Sequence, residues 1–93
     1  MNNFNLLFSD YYKVLTILYD NQVTIGDETY CNFSQEELSK QMGCTRMTIS
    51  NLLKKLKNEN YISFENFRKY KINPEVQKMI KDIKKLQKGV NNG

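Results

Sequence analysis

The 93-residue chain contains no histidine, which removes the commonest general base and the commonest metal ligand. Its two cysteines, Cys31 and Cys44, form neither a disulfide framework nor a CxxC pair. Each reads as a small, half-buried apolar residue rather than a ligand. No GxSxG, GxxxxGK[ST] or GxGxxG is present, so the common nucleophile, phosphate and dinucleotide signatures are missing. An enzyme is therefore not expected: no catalytic residue, no metal ligand and no cofactor stands out. No stretch approaches the roughly 20 apolar residues of a membrane span, so no membrane partner is expected. The opening Met1-Asn2-Asn3-Phe4 lacks the basic and apolar regions of a secretory signal, which points to a cytoplasmic protein.

Positive charge is scarce in one part of the chain and abundant in the other. Residues 1–37 hold one base, Lys13, against six acids, a net charge of −5. Residues 38–93 hold thirteen bases against Glu59, Glu65, Glu75 and Asp82, a net charge of +9. Such polarity fits one basic face for a polyanion and one acidic end, the alternative being a solvated surface of chance composition. An aromatic share of 12% and a hydrophobic share of 40% are globular values, and the length suits one domain over residues 1–93.

The first segment is strongly apolar. Leu7 or Phe8, Tyr11, Leu15 and Leu18 have helical spacing, with Ser9 or Asp10 as cap, predicting a helix over about 9–20. Tyr12, Val14 and Ile17 lie off that stripe, so part of the helix is expected to face a second subunit. Val23 and Ile25 alternate with polar residues, Gly26-Asp27 punctuates, and Tyr30 and Phe33 follow. That pattern predicts a strand, a turn and another extended piece.

Ser34, with Glu37 three residues on, is a capping-box signature for a helix over 35–42, with Leu38 and Met42 inward and Gly43 ending it. Thr45 caps a second helix over about 46–58. So short a glycine-containing turn makes the two helices cross steeply, as in a helix-turn-helix. On a wheel, Ile49, Leu52, Leu53 and Leu56 form the core side of the second helix. Met47, Asn51, Lys54 and Asn58 point the other way, flanked by Thr48, Ser50 and Lys55, with no acid in the first three turns. Amides, hydroxyls and lysines suit base edges and phosphates, whereas an ordinary solvated face mixes Glu with Lys.

Residues 61–72 carry a hairpin pattern, with Ile62, Phe64, Tyr70 and Ile72 toward the core and Arg68, Lys69 and Lys71 providing charge. Asn66 tolerates the left-handed conformation of a tight turn. A basic hairpin directly after such a helix pair is a wing. Pro74 opens a last helix over 74–88, in which Val76, Met79, Ile83, Leu86 and Val90 make a short heptad seam lined by lysines. That seam faces either a partner or its own domain. Asn91-Asn92-Gly93 reads as a frayed tail. The predicted fold is mainly α with a small β-hairpin wing: a helix-turn-helix over 34–59, the wing over 61–72 and the C-terminal helix.

The segment FSQEELSKQMGCTRMTISNLLKKLKNENYI, residues 33–62, resembles the helix-turn-helix of winged-helix bacterial regulators, especially that of catabolite-activator-type proteins. Leu38, Met42, Gly43, Cys44, Ile49 and Leu52 stand where that pattern places its core residues and turn glycine. The resemblance covers about a third of the chain. It implies double-stranded DNA binding, with base contacts on Arg46, Met47 and Asn51 and phosphate contacts by Thr45, Thr48, Ser50 and Lys54. Lys55 and the wing residues Arg68, Lys69 and Lys71 complete the expected DNA-binding set. Met47 replaces a residue often polar or acidic, and Asn51 one often basic, so sequence preference is expected to differ. The wing tip holds Phe67 where glycine is usual, and the ligand-sensing domain of that family has no counterpart in the chain.

Residues 30–74 also resemble the winged helix of Firmicute plasmid replication proteins, and the overall plan is similar to TubR-type centromere-binding adaptors of partition systems. The function expected is that of a stand-alone homodimeric repressor acting by operator occupancy. The alternatives are a partition or replication adaptor with a protein partner, and a winged helix that binds protein alone.

Overall fold

The computed structural model describes residues 9–91, with side chains through Leu86. In chain order the elements are α1 (Asp10–Asp20), β1 (Gln22–Ile25), β2 (Glu28–Cys31), α2 (Gln35–Met42), α3 (Arg46–Asn58), β3 (Ile62–Glu65), β4 (Arg68–Ile72) and α4 (Pro74–Asn91). Helices and one small antiparallel sheet in the order β1-β2-β4-β3 make a winged helix-turn-helix. None of the described helices is long and apolar enough to cross a membrane.

Each helix of the N-terminal three starts where a short polar side chain replaces a missing helical partner. Ser9 Oγ accepts the Tyr12 N–H at 3.2 Å and so caps α1. At α2 both halves of the capping box form: Ser34 Oγ accepts the Glu37 N–H at 3.1 Å, and the Ser34 N–H donates to the Glu37 carboxylate at 3.0 Å. Gly43 ends α2 at φ 69°, a left-handed position that costs a residue with a Cβ about 1–2 kcal/mol. The Cys44 N–H then closes the turn on the Ser39 carbonyl at 3.0 Å. Thr45 Oγ1 accepts the Thr48 N–H at 3.2 Å, starting α3 shortly after α2 stops.

The core is the meeting point of all these elements. Leu15 and Leu18 from α1, Leu38 from α2, Ile49, Leu53 and Leu56 from α3, and Tyr70 from β4 are almost completely buried. Each such side chain contributes roughly 1.5–3 kcal/mol relative to exposure. On β3 and β4 the alternation holds: Ile62, Phe64, Tyr70 and Ile72 face inward while Ser63, Glu65 and Lys71 face out.

Several expectations need correction. In α1 the residues expected to lie off the core stripe include Tyr12 and Val14, yet both are buried, Val14 at 0% exposure, while Tyr11 is only half-buried. The three other helices and strands β2 and β4 all pack on this helix, which one wheel stripe does not anticipate. In α4 the core residues are Val76 and Ile80; the predicted seam omits Ile80 and includes Leu86, which is 71% exposed. Met79 and Ile83 sit between, half-buried against the core. The helix runs to Asn91 instead of ending at 88, and the wing's first strand begins at Ile62, one residue past Tyr61. Leu7 and Phe8, the side chain of Val90, and Asn92-Gly93 lie outside what is described.

The two hairpins, which look independent in the sequence, form one sheet. Cys31 of β2 pairs with Tyr70 of β4, so the wing grows out of the strand pair that follows α1.

Candidate nucleic-acid interface

The outward side of α3 is the surface that the helix-turn-helix leaves uncovered. With Ile49, Leu53 and Leu56 packed inward, Met47, Asn51, Lys54 and Asn58 stand on the exposed side, Met47 at 75% exposure. Arg46 opens the helix and is exposed too. No acid occurs from Arg46 through Asn58, and the first turn carries no negative charge. Neither Arg46 nor Lys54 has an ion-pair partner among the described residues.

The remaining predicted contacts are placed unevenly. Thr45 and Thr48 are exposed, with their hydroxyls 3.0 Å apart at the start of α3. Ser50 is half-buried where α3 meets α2, its Oγ 3.5 Å from the Gln35 amide, so it stands off the outward face. Lys55 pairs with Glu59 at 3.3 Å, one turn along the helix.

In the wing, Asn66 and Phe67 form the two-residue turn, both at φ 53°. This left-handed pair matches the right-handed twist of the strands it joins. Phe67 takes a conformation usually left to glycine; its ring lies 5.0 Å from that of Phe64, and its carbonyl accepts the Tyr70 hydroxyl at 2.9 Å. Lys69, at φ 51°, is in a bulge that puts one extra residue on β4 between its pairings with Ser63 and Glu65.

The three wing cations have different surroundings. Arg68 is exposed with no acid paired to it among the described residues. The Lys69 ammonium lies 5.3 Å from the centre of the Tyr30 ring. Lys71 donates to the Glu28 carboxylate at 3.1 Å, and this contact, reinforced by the Lys71 and Lys69 charges, holds Glu28 below the usual carboxylate range.

Two grooves flank the wing. One, of about 460 Å³, runs between the start of α2, Arg46 and the wing residues Asn66, Phe67 and Arg68. The other, of about 880 Å³, brings Lys57, Arg68, Lys69 and Lys71 together with Glu28 and Glu65. Lys57 is absent from the set that sequence reasoning identifies. It donates to the Phe64 carbonyl at 3.0 Å and lies over the Phe64 ring, 4.7 Å from its centre, bracing the wing on α3. The only signal is its place three residues after Lys54 on the same helix. The cysteines are free, Cys31 buried and Cys44 half-buried, and burial pushes the Cys31 thiol up.

The fold and this face define a winged helix-turn-helix domain. Residues 13–88 match the Crp-like helix-turn-helix domain, and the chain belongs to that family. Membership makes these residues a DNA-binding helix-turn-helix domain of the kind found in transcription regulators. Among solved structures, the chain is similar to the reduced (Fe(II)) CO-sensing protein from R. rubrum, with 28% identity over 84% of this chain and a TM-score of 0.68. It is also similar in fold to a CRP/FNR-family transcriptional regulator from Thermus thermophilus, TTHA1359, with 16% identity over 78% of the chain and a TM-score of 0.58. It spans 37% and 39% of those two proteins. None of the curated proteins matches it.

Proposed function

We propose that this chain binds a specific duplex sequence as a homodimer and represses transcription by occupying an operator. The observation that carries the DNA-reading part is the exposed, acid-free face of α3, with Arg46 at its start and Arg68 across the groove from it. In this reading α3 lies in the major groove. Arg46 and Asn51 hydrogen-bond base edges, Met47 touches a thymine methyl, and Thr45, Thr48, Lys54 and Lys55 lie along the phosphates, with Ser50 turned away toward Gln35. Arg68, Lys69 and Lys71 add backbone contacts from the wing. Phosphate contacts position the protein, while base contacts carry the sequence information.

The dimer is supported by α4. Leu86 is exposed, and Met79 and Ile83 are only half covered by the chain's own core. A two-fold pairing through that side would cover them and set two α3 helices about one DNA turn apart, roughly 34 Å. Val14 takes no part, because it is already buried within one chain.

Two measurements test the proposal. Roughly six to ten phosphates neutralised per dimer would make log affinity fall with log salt at a slope of about −5 to −9. A salt-independent interaction, or none with duplex DNA, overturns it. Leu86→Asp should convert the dimer to the 11.0 kDa monomer in sedimentation while its far-UV circular dichroism stays that of a folded chain, because Leu86 is exposed in the single chain. A parent that already sediments as a monomer, free and on DNA, removes the dimer. Footprinting then separates the roles: protection of one inverted repeat at a promoter fits repression, and a long array of direct repeats reassigns the chain to partition.

A further inference from the structure

We infer that Glu28, on the acidic hairpin, weakens the wing's hold on DNA by engaging Lys71, so that β2 sets the strength of the backbone contacts made by β4. This rests on the DNA-binding reading above and deepens it.

Lys71 sits between two inward residues, Tyr70 and Ile72, and so projects from the outer face of the sheet. There it meets a carboxylate that comes from 43 residues earlier in the chain and belongs to the other hairpin. The Nζ–Oε1 distance is 3.1 Å, and the two side chains keep 45% and 52% of their exposure. A pair this exposed contributes little to folding. Its consequence for a polyanion is larger. A phosphate gains counterion release only from uncompensated cations, and Lys71 paired with Glu28 is locally neutral.

The carboxylate also lines the groove that holds Lys57, Arg68 and Lys69. Lys69 feels the same acid, and its ammonium rests on Tyr30, two residues along β2 from Glu28. Of the three wing cations, Arg68 alone has neither an acid nor a ring against it among the described residues. The hairpin that the sequence marks as a strand, turn and strand thus holds two of the three cations of the wing.

The experiment is a double-mutant cycle on the 93-residue chain, using a labelled mixed-sequence duplex of about three helical turns and fluorescence anisotropy across a salt series. Glu28→Gln keeps the shape and removes the charge. It should tighten binding about three- to tenfold near 0.1 M salt and steepen the log–log slope by about 0.9 for each subunit bound. Lys71→Gln should cost more affinity in the Glu28→Gln background than in the parent, because only there is the ammonium uncompensated. Thermal melting should barely move in either variant, which separates this effect from a structural one.

Unchanged affinity and slope in Glu28→Gln overturn the inference. A gain that survives intact in the double mutant also overturns it, because the acid would then act by direct repulsion and not through Lys71. A parent that binds no duplex sinks the DNA-binding reading itself, a failure visible before any variant is made.

Discussion

The two hairpins share one sheet and one connection length, yet almost everything else about them is opposite. The β1–β2 hairpin carries Asp27 and Glu28 and no base, whereas β3–β4 sets Arg68, Lys69 and Lys71 against Glu65. The first turns through Gly26, whose φ of 64° costs nothing without a Cβ. The second holds Asn66, Phe67 and Lys69 left-handed, three residues with side chains in a conformation glycine adopts more easily. The first exposes Val23 and Ile25 on its edge strand, while the second alternates between core and solvent except at the bulge, where Arg68 and Lys69 are both exposed. Relaxed turn chemistry thus accompanies the acidic hairpin, and strained turn chemistry the basic one at the candidate interface. Backbone strain persists where surrounding packing over-determines it, and such sites cluster where function is. Here the packing is visible: Phe64, Phe67 and Tyr70 hold the wing turn by two ring contacts and one hydroxyl bond.

The largest break in this comparison is at the residue that joins the hairpins. Tyr70 is completely buried, pairs with Cys31, and ties the wing turn through its hydroxyl. Tyr70→Ala should cost about 3–5 kcal/mol in urea denaturation, a large share of the stability of a small domain. Tyr70→Phe, which keeps the ring, should cost only about 1 kcal/mol. Burial, with a smaller contribution from the Cys31 charge, pushes the Tyr70 phenol up to about 12. Its folded-state pKa is thus above the unfolded value of about 10. The protonated form stabilises the fold below about pH 10, and that contribution is lost as pH rises through about 12. Alkaline unfolding followed by phenolate absorbance should therefore be shallower in Tyr70→Phe than in the parent.

Next in size are the variants that separate reading from holding. Arg46→Ala and Asn51→Ala should each cost about 1–3 kcal/mol on the specific site and much less on random duplex. Arg68→Ala in the wing should weaken both duplexes alike. If Asn51→Ala binds its operator as the parent does, α3 presents a different face to the groove.

The smallest effects sharpen the turn contrast. Gly26→Ala has open space around its new methyl, so only the left-handed φ opposes it, at about 1–2 kcal/mol. Asn66→Gly should be nearly neutral, within about 0.5 kcal/mol, because Asn already tolerates that region. Equal and large losses in both variants, read from thermal melts, would remove the distinction drawn between the two turns.

Much of the candidate site is legible in the sequence because its residues are local. The capping box at Ser34, the left-handed Gly43 and the Thr45 cap each involve residues within three or four positions, and all three form as the sequence implies. The placement of Met47, Asn51 and Lys54 follows from helical periodicity alone. Ser50 is less legible: on a wheel it flanks the outward face, and in the fold it lies against Gln35. Lys57 is invisible, since its contact with Phe64 depends on how β3 returns across the end of α3.

Sequence by itself determined the class of fold, the helix-turn-helix boundaries, the inward and outward sides of α3, and the segregation of acid from base along the chain. Those properties come from periodicity, capping and composition, which act over a few residues. Tertiary structure alone decided that the two hairpins share a sheet, that Tyr12, Val14 and Ile80 are core, and that Glu28 meets Lys71. Each of these depends on contact between segments distant in the chain. The register of Cys31 against Tyr70 sets that geometry, because moving a strand by one residue would turn every side chain on it to the opposite face.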